Sequence, residues 1–207
     1  MYKPKKYLVE NKEKLKEFID EHPFALFVTE KEGLCATHIP VLSQPIENDD
    51  FILFSHIAKH NEQLAHLSDG AEALIVFQGA HGYVSSSWYD HPNISTWDYS
   101  AVHVNAKIRL QDQAQLRASL DMLVHRFEKD QENPVYMDDL PDDIIDSHLP
   151  RIVGFYLEPT KIQGIAKLHQ GYSQENIQSI ISHLKERKAD MDRILIGNLK
   201  NEHKSNN

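Results

Sequence analysis

The sequence predicts a mainly β protein with added helices, an α+β fold whose strands form an antiparallel barrel or sheet. Six to seven short apolar segments are separated by turn signals along the chain. Amphipathic helical segments occur at the N-terminus, in the middle and near the C-terminus. Strands and helices do not alternate as they would in a series of βαβ units, so an antiparallel arrangement is expected.

The length of 207 residues fits a single domain, and no internal repeat or linker divides the chain. We expect a barrel core over about residues 24–170, a C-terminal helix over 174–188 and a disordered tail over 201–207. The tail is polar throughout, which is why no packed structure is predicted there.

Apolar runs and alternating patterns predict the strands, and apolar residues at helical spacing predict the helices. The predicted strands cover residues 24–29, 34–42, 51–54, 71–78, 101–110, 151–158 and 161–168. The predicted helices cover residues 11–22, 59–68, 113–129 and 174–188. Pro40 lacks an N–H group, so its strand is expected to end there or to lie at an edge.

Composition and charge exclude several classes of protein. The formal charge is −9, which opposes general attraction to nucleic-acid phosphates. Cys35 is the single cysteine, so an internal disulfide and a thiolate-rich metal site are both excluded. No apolar run approaches the length of a membrane span, and the N-terminus lacks the apolar region of a signal peptide. We therefore expect a cytoplasmic protein.

Residues 76–103 concentrate aromatic and polar ring chemistry. This stretch contains both tryptophans, Trp88 and Trp97, together with Gln78, His81 and Tyr83. Aromatic faces with nearby donors suit a planar heteroaromatic ligand. The apolar run at the start of this stretch is expected to break at its two glycines, Gly79 and Gly82. The alternative to a ligand site is a small satellite core beneath a loop.

Residues 55–59 form a second candidate site at a predicted strand-to-helix junction. Ser55 and His56 follow the apolar run 51–54, and Lys59 opens the predicted helix 59–68. The N-terminus of a helix presents free N–H groups and a positive dipole, and with these side chains it would suit a phosphate.

Other catalytic and metal patterns are weak. Cys35 and His38 lie three apart on a predicted strand and would face opposite sides, which argues against a thiol–base pair. The spacing of His56 and His60 permits a zinc ligand pair but lacks the glutamate of a metalloprotease motif. The sequence also lacks a serine nucleophile elbow and the glycine-rich loops of Rossmann and P-loop nucleotide sites.

Several motifs, taken together, resemble a known family. They are Thr37–Pro40, Ser55–Asn61, Phe77–Tyr89, Thr96–His103 and Lys167–Gln170. Their order and spacing are similar to those of the PaiB family of FMN-binding negative transcriptional regulators. The resemblance implies an FMN-binding split β-barrel, related to the pyridoxamine-phosphate-oxidase-like flavoproteins, that works as a homodimer with FMN at the subunit interface.

The resemblance also implies roles for the residues of the first two motifs. Ser55, His56 and Lys59 would hold the FMN phosphate, in agreement with the separate argument from the strand-to-helix junction. Thr37 and His38 would approach the flavin ring or its ribityl chain.

The remaining motifs would contribute the rest of the cofactor contacts. Gln78 and Trp97 would contact the isoalloxazine, and Lys167 and Gln170 would line the same cleft. This chain departs from the family pattern at His169 and Gly171, where family members often read Ser and Asn. The loop 90–95 is also shorter than is usual in the family.

The resemblance implies negative regulation of transcription, in bacilli of protease synthesis and sporulation. The acidic charge leads us to expect indirect action, through flavin redox state or a small-molecule or protein partner, rather than direct DNA binding. One alternative is an FMN-dependent oxidoreductase acting on an unknown small molecule. A second is a haem-binding split barrel with a histidine as axial ligand.

Overall fold

The computed structural model describes residues 1–2, 4–48 and 50–204. Its strands are β1 (Leu8–Val9), β2 (Phe24–Glu30), β3 (Leu34–Pro40), β4 (Leu42–Ile46), β5 (Asp50–Ala58), β6 (Glu72–Val84), β7 (Thr96–Leu110) and β8 (Ile152–Lys167). Its α-helices are α1 (Lys12–Glu21), α2 (Gln113–Glu128), α3 (Asp142–His148), α4 (Gln174–Arg187) and α5 (Asp192–Lys204). The predicted α+β class, mainly β with added helices, is confirmed.

The strands of the described ranges form one sheet. Its order is β3-β2-β6-β7-β8-β5-β4, and β1 pairs with β8 beside this path. Pairing is antiparallel between β2 and β3, β2 and β6, β4 and β5, and β5 and β8. The register sets Leu26 opposite both His38 and Val76. β3 and β4 are therefore the two edge strands.

The chain groups into two compact units. Unit 1 comprises Met1–Phe18, Gln78–His103 and Gln163–Asn207, and unit 2 comprises Ile19–Phe77 and Val104–Ile162. The strands β6, β7 and β8 each contribute residues to both units. The prediction of a single domain over 1–207 stays a prediction.

Unit 2 has an aromatic and aliphatic core. Phe27 and Phe155 are fully buried and their rings stack with centroids 5.1 Å apart. Burial of such side chains supplies the main stabilising free energy of a domain, about 1.5–3 kcal/mol for each. A smaller cluster of Leu116, Ile145 and Leu149 lies where α2 and α3 pack.

Unit 1 has its core between its strands and its last two helices. The buried cluster contains Ala80, Val84, Leu168, Ile177, Ile180, Ile181, Leu184, Leu195 and Leu199. α4 begins at the Ser173 N-cap, whose side chain accepts from the backbone N–H of Asn176. Ile177, Ile180, Ile181 and Leu184 then form the apolar stripe that the sequence predicts.

The predicted break of a strand at Gly79 and Gly82 is wrong, because β6 continues to Val84. A Cβ added at Gly82 would lie 2.7 Å from Leu195 Cδ2 and 3.0 Å from Arg187 Nη2. Gly82 therefore permits the close approach of two side chains and does not make a turn.

The predicted division of residues 151–168 into two strands at Pro159 and Thr160 is also wrong. β8 is continuous, because the fixed φ of proline is compatible with extended backbone. β3 ends at Pro40 as predicted, and Leu42 begins the separate strand β4.

The C-terminal region differs from its prediction. Residues 201–204 were expected in a disordered tail and instead form the end of α5, so this part of the prediction is wrong. The rest of the predicted tail, residues 205–207, lies outside the described part of the chain. Buried Leu195, Leu199 and His203 anchor this helix. Among the described residues, no helix has the length and apolar character needed to cross a membrane.

Candidate functional site

Unit 1 presents an exposed aromatic face formed by Gln78, His81, Tyr83 and Trp97. Trp97 is 56% exposed and Tyr83 is 40% exposed, although large aromatic side chains are usually mostly buried. The Trp97 ring lies 6.2 Å from the His81 ring and 6.0 Å from the Tyr83 ring, between centroids. Gln78 Nε2 lies 3.3 Å from His81 Nδ1. This face therefore combines stacking surface with hydrogen-bonding groups.

Lys167 fixes the backbone that carries Trp97. Its Nζ donates to Trp97 O at 2.6 Å and also to Thr96 Oγ1. Burial lowers the pKa of Lys167, the Asp98 carboxylate opposes that shift, and Lys6 adds to it. Lys167 thus brings a partly desolvated ammonium group to the start of β7.

Gln170 uses its side-chain amide within its own turn. Its Oε1 accepts from Leu168 N at 2.8 Å, and its Nε2 donates to Ala166 O at 2.7 Å. These bonds hold a turn in which His169 has a left-handed φ of 55°. The flavin contact of Gln170 stays a prediction. In the structure, this side chain stabilises the turn that contains His169 through its two hydrogen bonds to the backbone.

In unit 2, Ser55 and His56 lie within β5 rather than after it. Ser55 is 2% exposed, and its Oγ donates to Pro40 O at 2.6 Å. His56 is opposite Gly154 in the sheet, and burial lowers its pKa. The Ser55 proton is therefore used internally, while His56 is held toward its neutral form.

Lys59 follows β5 and is exposed. Its backbone N–H donates to Arg151 O at 2.8 Å. The predicted helix 59–68 is instead a short 3-10 helix, Glu62–His66, whose Asn61 N-cap side chain accepts from Gln63 N. The predicted helix-dipole contribution is therefore wrong, and the positive charge at this junction comes from the Lys59 side chain.

Thr37 and His38 lie on the edge strand β3 and have different neighbours. Thr37 Oγ1 accepts from Asn61 Nδ2 at 3.1 Å. His38 is exposed and stacks on Phe24, with ring centroids 5.7 Å apart. Cys35 Sγ lies 3.8 Å from Glu62 Oε1, so the thiol and the His38 ring have separate partners.

The predicted cofactor residues therefore fall into two sets. Thr37, His38, Ser55, His56 and Lys59 belong to unit 2, and Gln78, Trp97, Lys167 and Gln170 belong to unit 1. Within unit 1, hydrogen bonds and ring contacts bring Trp97 together with Lys167 and His81. In the described ranges, no group of three histidine, cysteine, aspartate or glutamate side chains could hold a metal ion.

Sequence reasoning missed a buried polar chain in unit 1. Asp98 Oδ2 lies 2.5 Å from His169 Nδ1, and His169 Nε2 lies 2.8 Å from the Tyr89 hydroxyl. The Asp98 and His169 side chains are 0% and 2% exposed. Asp98 continues the core-facing alternation of Val102 and Val104 along β7, and a carboxylate at such a position requires a partner.

The two sets of residues fit FMN in different ways. The aromatic face of unit 1 offers exposed rings and the Gln78 amide, which suit a heteroaromatic ring system. In unit 2, Lys59 offers an exposed ammonium group, which suits a phosphate.

Comparison with known proteins agrees with this chemistry. A family model described as "Putative FMN-binding domain" matches residues 1–161. "Protease synthase and sporulation protein PAI 2" from Bacillus subtilis is 35% identical over 185 residues, covering 89% of each chain. An uncharacterized protein, AN0679, from Emericella nidulans is 23% identical over 81% of this chain and 84% of its own.

Two solved structures share the fold. The FAD and heme binding protein from Mycobacterium smegmatis aligns with a TM-score of 0.57 at 17% identity, covering 84% of this chain and 80% of its own. The flavocytochrome Anf3 from Azotobacter vinelandii aligns with a TM-score of 0.58 at 14% identity, covering 86% and 78%. These likenesses confirm the predicted split-barrel fold. The chain therefore belongs to the FMN-binding domain family, and its resemblance to the PaiB proteins is confirmed.

Proposed function

We propose that this protein is an FMN-dependent negative regulator of the PaiB type, which controls protease synthesis and sporulation without binding DNA itself. The name of the Bacillus subtilis relative supports the regulatory role. The formal charge of −9 supports indirect action, because specific DNA binding draws much of its affinity from basic contacts to phosphates.

The observation that carries this proposal is the exposed aromatic face. Trp97 leaves 56% of its surface uncovered, and Tyr83 and His81 extend the same face. Covering it with a flavin ring would remove apolar surface from water and add stacking contacts. Gln78 would donate to the ring edge, and Lys167 would hold Trp97 in place. Bound FMN would supply one- and two-electron redox chemistry.

The phosphate would be held from unit 2, with Lys59 as the charged contact. His56 would add a second charged donor once protonated, and Ser55 would position the strand through its bond to Pro40. Thr37 and His38 would lie near the ribityl chain or ring. Charge-assisted hydrogen bonds are stronger than neutral ones, so Lys59 is expected to contribute most.

We expect a homodimer in which the ring contacts and the phosphate contacts of one FMN come from different subunits. Exposed apolar side chains on β2 and β3 support an interface, since Phe24 is 68% and Leu34 is 81% exposed. Sedimentation equilibrium with and without FMN tests this state. An FMN-loaded protein that remains monomeric would overturn it.

The first experiment is to purify the protein, record its visible absorption and identify the heat-released ligand by mass spectrometry. We expect the bands of oxidised flavin and the mass of FMN. A colourless protein that fails to bind added FMN would refute the flavin role.

The second experiment separates regulation from DNA binding. A reporter fused to a protease promoter should be repressed by the natural protein and derepressed by Trp97→Leu, with Phe127→Leu, at an exposed aromatic residue of unit 2, as the control. Electrophoretic shifts at physiological salt should show no specific affinity. Sub-micromolar specific binding would contradict indirect action.

An FMN-dependent oxidoreductase is a second candidate. The Asp98–His169–Tyr89 hydrogen bonds favour it, because such a chain can hold and release a proton. Anaerobic reduction by NADH or NADPH, followed by a screen for compounds that reoxidise the flavin, tests this activity. Haem binding stays a prediction, and a Soret band on haem titration would reveal it.

A further inference from the structure

Unit 1 contains a cavity of about 210 Å³ that lies among polar side chains. Its lining includes Tyr7, Thr96, Asp98, Lys167, His169 and Tyr172. The volume is below the usual range for drug-sized ligands, so the cavity suits a small metabolite.

Asp98, one of the lining residues, has an unsatisfied acceptor. Its side chain is 0% exposed, and Oδ2 is paired with His169 Nδ1. Oδ1 has no hydrogen-bond partner within the described part of the chain. A buried carboxylate oxygen in this state favours a donor on any molecule that enters the cavity.

The Asp98 carboxylate belongs to a chain of hydrogen bonds with His169 and Tyr89. Burial, with Tyr172 and Asp98 acting in the same direction, raises the pKa of Tyr89 to about 12. The Tyr89 hydroxyl therefore remains protonated, and its oxygen lies 2.8 Å from His169 Nε2. Nδ1 of the same ring lies 2.5 Å from Asp98 Oδ2, which leaves Oδ1 as the carboxylate oxygen without a partner among the described residues.

Lys167 provides the opposite charge. Two of its three ammonium protons are directed to Thr96 Oγ1 and Trp97 O. The third remains for an acceptor in the cavity that Lys167 lines. Burial lowers the pKa of Lys167, and electrostatic repulsion from Lys6 acts in the same direction.

We infer that this cavity binds a small zwitterion of the amino-acid type, whose ammonium group donates to Asp98 Oδ1 and whose carboxylate accepts from Lys167 Nζ. Tyr7 and Tyr172 complete the lining with aromatic side chains. Asp98 and Lys167 give the site one negative and one positive group. Such a site matches a ligand that carries both an ammonium group and a carboxylate better than a ligand that carries only one of them.

This binding goes beyond the proposed flavin function and does not require FMN. The two are linked through Lys167, since the same ammonium group holds the Trp97 carbonyl. A carboxylate at Lys167 would therefore act on the residue that carries the exposed indole of the aromatic face. Such a ligand would be an effector of the regulator. The effector role rests on the proposed function, whereas the binding of the amino acid does not.

Calorimetric titration of the full-length protein with a panel of standard L-amino acids tests the site. The titrations are run on FMN-free and FMN-loaded protein, so that a failure of flavin binding does not obscure the result. For each amino acid that binds, the analogue lacking the amino group and the analogue lacking the carboxylate are titrated as well. We expect at least one amino acid to bind and both analogues to bind at least tenfold more weakly.

Variants locate the binding. Asp98→Asn and Lys167→Gln should each weaken the amino acid at least tenfold, whereas Lys161→Gln, on the same strand but outside the cavity lining, should not. If Asp98→Asn fails to fold, the analogue without the amino group tests the same contact on the natural protein. Absence of binding by the whole panel at millimolar concentration, or affinity unchanged by loss of either charged group, would overturn the inference.

Discussion

The buried pair of Asp98 and His169 allows a quantitative prediction about stability. His169→Ala removes the Nδ1 donor and leaves the Asp98 carboxylate buried without a partner. Breaking such a pair typically costs about 3–5 kcal/mol, a large share of the about 5–15 kcal/mol by which domains are stable. We therefore expect the free energy of unfolding to fall by about that amount.

The backbone of His169 adds a second, smaller effect. Its φ of 55° lies in the left-handed region, which costs an L-residue about 1–2 kcal/mol and costs glycine almost nothing. Glycine also makes the unfolded chain more flexible, at a cost of about 0.5–1 kcal/mol. His169→Gly should therefore be more stable than His169→Ala by at most about 1.5 kcal/mol.

Urea unfolding followed by tryptophan fluorescence measures these differences, with the midpoints compared at a shared m-value. A double-mutant cycle with Asp98→Ala isolates the pair. Removing both partners eliminates the uncompensated charge, so the double variant should lose less stability than the sum of the single variants. Additivity within about 0.5 kcal/mol would refute the argument that these groups act as a pair.

Three further predictions follow from single contacts. Lys59→Ala should weaken FMN by about 1.5–3 kcal/mol, or roughly tenfold to a hundredfold, in a fluorescence-quenching titration, because it removes a charge-assisted phosphate contact. In an NMR titration of FMN-free protein, the His56 imidazole should titrate below its ordinary pKa of 6.5, and FMN should raise that pKa because the phosphate stabilises the cation. The Arg187 guanidinium lowers the pKa of Asp192 in the folded protein below its ordinary value of 3.8. The stability that this carboxylate adds is therefore fully present above pH 3.8, and it is lost as the pH falls through the lower pKa of the folded state. Acid unfolding of Asp192→Asn should therefore depend less steeply on pH in that range.

Each of these predictions has a control and a contradicting result. The control for Lys59→Ala is Lys107→Ala, which removes another exposed lysine of unit 2 and should leave FMN affinity unchanged. Equal losses of FMN affinity in Lys59→Ala and Lys107→Ala would show a general effect of charge. A His56 pKa that FMN leaves unchanged would place the phosphate elsewhere. For Asp192, the matched control is Asp190→Asn, at an exposed position two residues earlier. If Asp190→Asn changes the pH dependence of acid unfolding and Asp192→Asn does not, the assignment of this dependence to Asp192 is contradicted.

Much of the helical structure follows from local pattern. α1, α2 and α4 are predicted within one or two residues, because each has apolar residues at helical spacing and a clear terminus. α5 is absent from the prediction. Its buried residues include only two apolar ones, Leu195 and Leu199, beside Asp192 and His203. Gly197 and Asn198 lower its intrinsic helix propensity.

The strand boundaries depend on packing that a local pattern does not contain. In the sequence, Gly82 resembles a turn residue. In the fold, the side chains of Arg187 and Leu195, more than a hundred positions later, occupy the space beside it. Pro159 likewise resembles a strand end, although extended backbone tolerates it at this place in β8.

The candidate site was predictable in part. The concentration of aromatic residues identified the exposed face around Trp97, because such composition is uncommon outside a core or a ligand site. Asp98 could have been found from its core-facing position on β7, next to Trp97. Its pairing with His169, 71 positions away, required the fold.

The division of the chain into units has a consequence for how this protein can be cut or shortened. Unit 1 is assembled from three separate segments and unit 2 from two, so the chain passes between the units at residues 18–19, 77–78, 103–104 and 162–163. No single proteolytic cleavage can release either unit intact, and removing either terminus takes residues from unit 1 alone. No continuous gene fragment therefore encodes the whole of unit 1 without residues of unit 2, and recombination that exchanges one unit must splice at several positions at once.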